Sequence, residues 1–583
     1  MIQNIQPFNA RAGDVYSKRL KQAVAIAILI LAIPSAFAQD VPPTGGDTLR
    51  NIERSLPVPS DSTDGARIEV PETPALSSMP EDVRVDVSSY RITGNTIFEE
   101  QALLALIAGR TGNLSLEELR RAADEVSTYY RNHGYLLTLA YIPEQEITQG
   151  VVTIAVLEGR YDQILVDNNT RMSDERLKRT LTQAICQTGD CSGALIYRQK
   201  LERGLLLLND LPGAHGPARL SPGRTVGTSQ LDVDVDADPL VEGVLQLDNL
   251  GNYYSGANRA IGTLWLNNPW GIGDQLTLQG VASEGHGDVQ YGMLAYGLPL
   301  GYSGLRLNAT GSYLQYELGG RYEDLKVNGT VKSGDLALSY PFIRSLKGNL
   351  QGDVSYGVRR FDDDIDALNT DAERRISNRM ELGLSGDLLD AAFGRRALNT
   401  FSVLYNRGEL ELEDSSALLI DSLTARSDGN YDKWMINFSR LQSLFGRSNV
   451  YVRLSAQGTE DNLDSYEKFA LGGPYSVRAY PTGETLVDEA VLFSVEWRQQ
   501  IPTSLGSGLE GLLFYDRARG KINADPWTSD SNHVTLDGWG VGLNYRFSNQ
   551  LMLKTTLAFR GDEEMTAAPD DHYRFNLSIS KAF

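Results

Sequence analysis

Tyr573-Arg-Phe-Asn-Leu-Ser-Ile-Ser-Lys-Ala-Phe583 decides the fold. At a period of two, Tyr573, Phe575, Leu577, Ile579, Lys581 and Phe583 share one face, and Arg574, Asn576, Ser578, Ser580 and Ala582 share the other. A soluble antiparallel sheet alternates in the same way, with its apolar side on a core, so β-sandwich repeats are the competing reading. Here, however, the strand stops at an aromatic residue, and similar segments recur upstream to about residue 242. That combination predicts a transmembrane β-barrel, whose strands meet lipid and lumen alternately.

The other end of the chain agrees. Lys18, Arg19 and Lys21 form a basic region, Ala23–Ile33 is a short apolar run, and Ala36-Phe37-Ala38 supplies a small-x-small cleavage pattern. Residues 1–38 are therefore expected to be a secretory signal peptide, with the mature chain starting near Gln39. No later stretch reaches the roughly 18 apolar residues of a spanning helix, so strands must carry any membrane crossing.

The net charge of −21 argues against a nucleic-acid partner. With 56 glycines, 27 tyrosines and only 41% hydrophobic residues, the composition suits a barrel with a polar lumen and aromatic girdles. Cys186 and Cys191 enclose Gln-Thr-Gly-Asp. In an exported protein they are expected to form one small-loop disulfide. A metal site needs further ligands that the five scattered histidines do not supply nearby. No cofactor is expected.

Residues 39–84 are Pro-rich and hold one short helical candidate, Asp47–Leu56, in which Leu49, Ile52 and Leu56 share a face. Pro57 and Pro59 end it, and an extended linker follows. Residues 85–160 read as a small α+β domain. Val85–Ile92 is a strand and Glu99–Ile107 a helix. A second helix begins at a capping box, Ser115 with Glu118, carries Leu116, Leu119, Ala123, Val126 and Tyr130 on its apolar side, and stops at Gly134. Leu137–Ile142 and Val151–Leu157 complete it as strands. Residues 161–240 repeat the plan, with a strand at Tyr161–Val166, helices at Ser173–Cys186 and Ile196–Asn209, and strands at Ala218–Leu220 and Ser229–Asp236.

From 241 to 583 the pattern is strand, turn, strand. Sixteen candidates begin near Val244, Arg259, Gln275, Val289, Gly304, Lys332, Asn349, Ile376, Ala397, Lys433, Asn449, Ala490, Leu509, Val534, Leu551 and Tyr573. About 21 residues per strand and connection suits strands of about ten residues with short turns on one side and longer loops on the other. The expected fold is thus two periplasmic α+β domains followed by an antiparallel transmembrane barrel of about sixteen strands.

Several motifs, in order, resemble the two-partner secretion transporters related to the haemolysin and filamentous haemagglutinin exporters. Tyr129-Tyr-Arg-Asn-His-Gly-Tyr135, Ala140-Tyr-Ile-Pro-Glu-Gln145 and Leu157-Glu-Gly-Arg160 resemble that family's first polypeptide-transport-associated (POTRA) domain. Leu205-Leu-Leu-Leu-Asn-Asp-Leu-Pro-Gly213 and Leu220-Ser-Pro-Gly223 are similar to its second. Leu247-Asp-Asn-Leu-Gly251, Asn267-Asn-Pro-Trp-Gly271 and Gly273-Asp-Gln275 resemble its first barrel hairpin. Phe583 resembles the aromatic insertion signal of outer-membrane barrels.

Leu471-Gly-Gly-Pro-Tyr-Ser-Val-Arg-Ala-Tyr480 is the sharpest piece. The resemblance implies a long external loop that folds back into the pore and ends in Val477, Arg478, Ala479 and Tyr480. Ala479 stands where the family usually has glycine, which is tolerated if its φ stays negative. By alternation, Phe493 and Trp497 face lipid and Glu496 faces the lumen; Leu513 and Tyr515 face lipid and Asp516 the lumen. The resemblance implies that Arg478 pairs with Asp516, with Glu496 as a neighbour. An arginine fork can grip one carboxylate bidentately, so the pair is expected to act as a latch on the loop.

No Gly-x-Ser-x-Gly elbow, Walker loop or His-Glu-x-x-His occurs, and no enzyme is expected. The implied function is an outer-membrane pore that exports a large, unfolded exoprotein cargo from periplasm to cell surface. The POTRA domains, in the periplasm, are expected to recognise that cargo by strand addition, and barrel-assembly machinery to insert the pore among outer-membrane lipid. The alternatives are a barrel-assembly factor, which shares the Val-Arg-x-Tyr loop, and a passive porin. Asp47–Leu56 is expected to lie in the resting barrel.

Overall fold

The computed structural model describes residues 42–54, 56, 68–69, 83–187, 189–368, 373–503, 506–529 and 531–583. The expected signal peptide, 1–38, and most of the Pro-rich linker lie outside the described residues.

Sixteen antiparallel strands close into one barrel, each paired with its neighbour in sequence. The first, Val241–Asp248, pairs with the last, Tyr573–Ala582. Gln275, Ala397, Leu551 and Tyr573 begin strands where the alternation predicts. The sixth strand starts at Val327 rather than Lys332 and runs 18 residues, because its ladder continues beyond the apolar belt into an outer extension. The seventh and eighth are also 18 residues long, against 8 for the first, so one wall is much taller.

Alternation sets the two faces. On the last strand Phe575 is 50% exposed toward lipid, and the adjacent Asn576 is 6% exposed in the lumen. On the strand Glu489–Thr503, Val491, Phe493 and Trp497 point outward while Leu492, Ser494 and Glu496 are buried.

The first periplasmic domain differs from the expected pattern at its start. Val85–Ile92 is not one strand. The chain breaks at Ser88, giving Arg84–Val87, which pairs with a further strand at Gly112–Ser115, and Ser89–Thr93, which runs parallel to Val151–Leu157. Ser88 turns the backbone there by donating its own N–H to the carbonyl of Gly150 at 2.8 Å. The capping box forms: Ser115 accepts from the Glu118 N–H, and Glu118 accepts from the Ser115 N–H, opening the helix Leu116–Asn132. Gly134, at φ +93°, ends the turn beyond it.

Glu158 explains the Leu-Glu-Gly-Arg motif. Its buried carboxylate accepts from the Thr96 and Ile97 N–H groups at 2.6 and 3.1 Å and from the Tyr130 hydroxyl at 3.1 Å. Burial and this carboxylate push the Tyr130 hydroxyl well above its usual range. Gly159 is needed because a Cβ there would lie 2.6 Å from Leu137.

In the second domain the sheet places Arg160–Asn168 beside Thr228–Val235, then Ala218–Pro222. Its outer edge is occupied by the linker itself: Ile68–Glu69 pairs parallel with Ala218 and Arg219. Cys186 and Cys191 are joined by a disulfide. This domain sits against one side of the barrel's periplasmic rim. Asp210 accepts two hydrogen bonds from Arg344, at 2.6 and 2.8 Å, and Arg203 donates to the Pro341 carbonyl at 2.8 Å.

The helix runs Gly45–Glu53, two residues earlier than expected at its start and three shorter at its end. Thr44 caps it reciprocally with Asp47, and Pro57 disfavours helical backbone at residue 56. It lies inside the barrel, where Leu49 and Ile52 pack with Val281, Tyr291, Leu314 and Tyr316 of the wall.

Candidate functional site

Between the strands Ser448–Thr459 and Glu489–Thr503 the chain leaves the barrel wall and folds into the lumen. A small hairpin, Phe469–Leu471 against Thr485–Val487, forms its stem. Gly472 and Gly473 have φ of +85° and +89°. Both allow the returning chain to come close: a Cβ on Gly472 would lie 2.4 Å from the Pro481 carbonyl oxygen. The tip then places Val477, Ala479 and Tyr480 in a buried apolar cluster with Leu492, Phe514 and Ala558 of the wall.

Register builds the polar centre beneath this tip. Ser494 lies directly opposite Asp516, and Glu496 opposite Phe514, on adjacent strands with all four side chains inward. Arg478 donates through Nε and Nη2 to the two oxygens of Asp516, each at 2.7 Å. Its Nη1 donates to Glu496 at 2.6 Å, and its backbone N–H reaches Asp516 at 3.2 Å. Ser494 donates to Asp516 at 2.6 Å. The guanidinium stacks 3.6 Å from the centroid of the Phe514 ring. Arg498 binds the far oxygen of Glu496 at 2.6 Å, and Arg453, opposite Ser494 on the neighbouring strand, adds a third positive charge beside the two carboxylates.

Arg478, Asp516 and Glu496 therefore meet, and Glu496 is a direct partner rather than a bystander. Ala479 is not among the residues with positive φ, so its Cβ imposes no backbone strain. Alternation places Phe514 and Asn576 on inward faces, but their contacts with Arg478 (Asn576 donates to its carbonyl at 3.3 Å) and the role of Ser494 were not foreseen. Nor was Asp537-Gly-Trp-Gly-Val-Gly542, whose lumenal glycines make the room. A Cβ on Gly538 would lie 2.5 Å from the Ala479 Cβ, and one on Gly540 would lie 2.5 Å from the Phe514 ring. Glycine at alternate strand positions is the signal that marks such close approach.

A second group of ions fastens the loop's descending arm. Arg375 on the eighth strand meets Asp464 at 3.0 Å and Asp363 at 2.9 Å, and Lys433 on the tenth meets Glu467 at 2.6 Å. The helix joins the same arm. Arg50 donates to the carbonyls of Ser465 and Lys468, the latter at 2.8 Å, and Tyr466 donates to Glu53 at 2.6 Å. Such buried pairs are strongly destabilised by loss of one partner, at about 3–5 kcal/mol. Among the described residues no group of His, Cys, Asp and Glu has metal-binding geometry.

Phe583 ends the last strand on the lipid side. It exchanges two backbone hydrogen bonds with Gly243, both 3.0 Å, at the barrel seam.

A closed sixteen-stranded wall with apolar exterior, an inward loop and a small domain at one rim that carries a second one define a transmembrane β-barrel transporter. A family model described as haemolysin secretion/activation protein ShlB/FhaC/HecB matches residues 227–545, and one described as POTRA domain, ShlB-type, matches 85–159. The chain belongs to the haemolysin secretion/activation family. The heme/hemopexin transporter protein HuxB of Haemophilus influenzae (strain 86-028NP) is 26% identical over 580 residues, covering 96% of this chain and 98% of its own. The outer membrane transporter CdiB of Dickeya dadantii (strain 3937) is 24% identical over 400 residues, 67% of this chain and 68% of its own. The solved structure of CdiB from Escherichia coli has a TM-score of 0.68 at 20% identity, with both chains fully covered. The family is one of outer-membrane secretion pores, which sets aside the porin reading.

Proposed function

We propose that this protein is the outer-membrane pore of a two-partner secretion pathway and passes one large partner protein, unfolded, from periplasm to cell surface. The observation that carries the reading is the inward loop held on the wall by Arg478, Asp516 and Glu496, inside a barrel with two sheet-edge domains at its entrance. A buried, bidentate latch is strong enough to hold a resting loop and, unlike a covalent tie, is reversible. The helix Gly45–Glu53 is a removable plug, since it joins the body only through the linker and its contacts in the lumen. Cargo is recognised by strand addition at a POTRA edge, a mode the linker segment Ile68–Glu69 illustrates on Ala218–Pro222. Assembly machinery inserts the barrel through the terminal strand and Phe583, and the outward leucines and aromatics meet membrane lipid.

Co-expression with its partner in a cell lacking related exporters tests the reading. The partner should reach the surface only when the pore is present, and removal of residues 85–160 should stop export while folded barrel still accumulates. Export without the POTRA domain contradicts it.

A further inference from the structure

The four residues after the loop tip, Pro481-Thr-Gly-Glu484, reach segments on both sides of the barrel seam. Glu484 is buried, and its carboxylate is held by three hydrogen bonds: it accepts from the Thr566 N–H at 2.6 Å, the Thr566 hydroxyl at 2.7 Å and the Ala567 N–H at 3.2 Å. Two residues earlier, the Thr482 hydroxyl donates to the Leu250 carbonyl at 2.9 Å, and its own carbonyl accepts from Asn252 at 2.9 Å.

These contacts fall on opposite sides of the barrel seam. Leu250 and Asn252 follow the first strand, and Thr566 and Ala567 precede the last. The register there runs only from Val244↔Ala582 to Asp248↔Ser578, whereas the sixth and seventh strands pair from Val327↔Ile365 to Arg344↔Asn349. The segment 561–572 also lies over the inward loop. Tyr480 donates to the Glu563 carbonyl at 3.0 Å, and Met565 joins the apolar cluster of Val477, Ala479 and Tyr480. Arg321, beyond the fifth strand, donates to the Thr566 carbonyl at 2.5 Å and ties the segment to the connection between the fifth and sixth strands.

We propose that Glu484 is a positioning residue for export, clamping the 561–572 segment over the exit and, with Thr482, tying both sides of the seam to the inward loop. A shift of that loop withdraws the carboxylate and frees the exit segment. While the loop is latched, the exit stays covered. The inference rests on the proposed export function, but its test reads ion current and not export, so the two fail separately.

The test uses the full chain in planar bilayers, with potassium chloride current as the probe. Glu484→Gln keeps the shape but turns an NH2 group toward a backbone N–H, so openings should become at least about ten-fold more frequent. Glu484→Cys with Thr566→Cys should suppress openings when oxidised and regain them on reduction. The wild-type chain under the same reductant controls for the Cys186–Cys191 bridge. Wild-type opening frequency in Glu484→Gln, or equal gating of the oxidised and reduced double cysteine, overturns the proposal. If Glu484→Gln fails to accumulate as folded barrel, the cysteine pair decides alone.

Discussion

Arg478 and Asp516, 38 residues apart in sequence, meet through two hydrogen bonds of 2.7 Å in which the guanidinium fork matches both carboxylate oxygens. The pair is not symmetric in its surroundings. Asp516 is fully buried and also holds Ser494 and the Arg478 backbone, whereas Arg478 has a second carboxylate in Glu496. Loss of the arginine leaves Asp516 without its bidentate partner, while Glu496 keeps Arg498. Loss of Asp516 leaves Arg478 still paired.

Arg478→Lys should therefore fail to substitute. An ammonium offers no planar fork, cannot bind Asp516 and Glu496 in the same geometry, and loses the flat contact with Phe514. Export is expected to fall close to that of Arg478→Ala while folded barrel, read by heat-modifiable mobility, stays at the wild-type amount. Near-normal export by the lysine variant would mean that charge alone holds the loop.

Gly538→Leu should dislodge the tip from the wall side. Its side chain would occupy the space of the Ala479 Cβ, whereas the outward neighbour Trp539 is untouched. A cysteine label at residue 479 should become accessible in this variant and remain protected in the wild type. Ala479→Gly, by contrast, should cost no more than about 1 kcal/mol, since the alanine is unstrained.

Removing residues 42–56 should raise resting conductance and leave export largely intact, because the helix fills the lumen but carries no wall strand. Arg50→Ala should raise conductance in part, as it severs the helix from the Ser465 and Lys468 carbonyls while Leu49 and Ile52 stay packed. Equal conductance of the truncated and intact proteins would remove the plug from the account.

Replacing Ile68 and Glu69 with glycine should free the edge at Ala218–Pro222. Binding of an unfolded N-terminal fragment of the partner should then tighten several-fold from an expected micromolar affinity, as seen by titration of the full chain in detergent. Unchanged affinity would place cargo on another edge.

The strands were legible because lipid on one side and lumen on the other impose a period of two on each of them. Phe493, Trp497, Leu513, Glu496 and Asp516 fall on the faces that alternation assigns. Arg478 with Asp516 was legible only through resemblance, since a loop arginine has no periodicity that aims it. The pairs Arg375–Asp464 and Lys433–Glu467 depend on how deep the loop descends, which no local pattern encodes. The break at Ser88 shows in the sequence only as a slip in the alternation, from Val85 and Val87 inward to Tyr90 and Ile92 inward, and the Gly150 carbonyl opposite it turns the chain. The helix boundary was misplaced because Thr44, its cap, lies upstream of the first apolar residue.

The central claim is that Arg478 and Asp516 work as one latch on a secretion pore, and a double-mutant cycle on partner export tests it most directly. Export by Arg478→Ala, Asp516→Ala and the double variant would each be measured against equal amounts of folded barrel. The account predicts a severe loss in Arg478→Ala, a milder one in Asp516→Ala, and a double variant little worse than Arg478→Ala, with coupling of about 0.5–3 kcal/mol. Strictly additive losses, or wild-type export by Arg478→Ala, would contradict it.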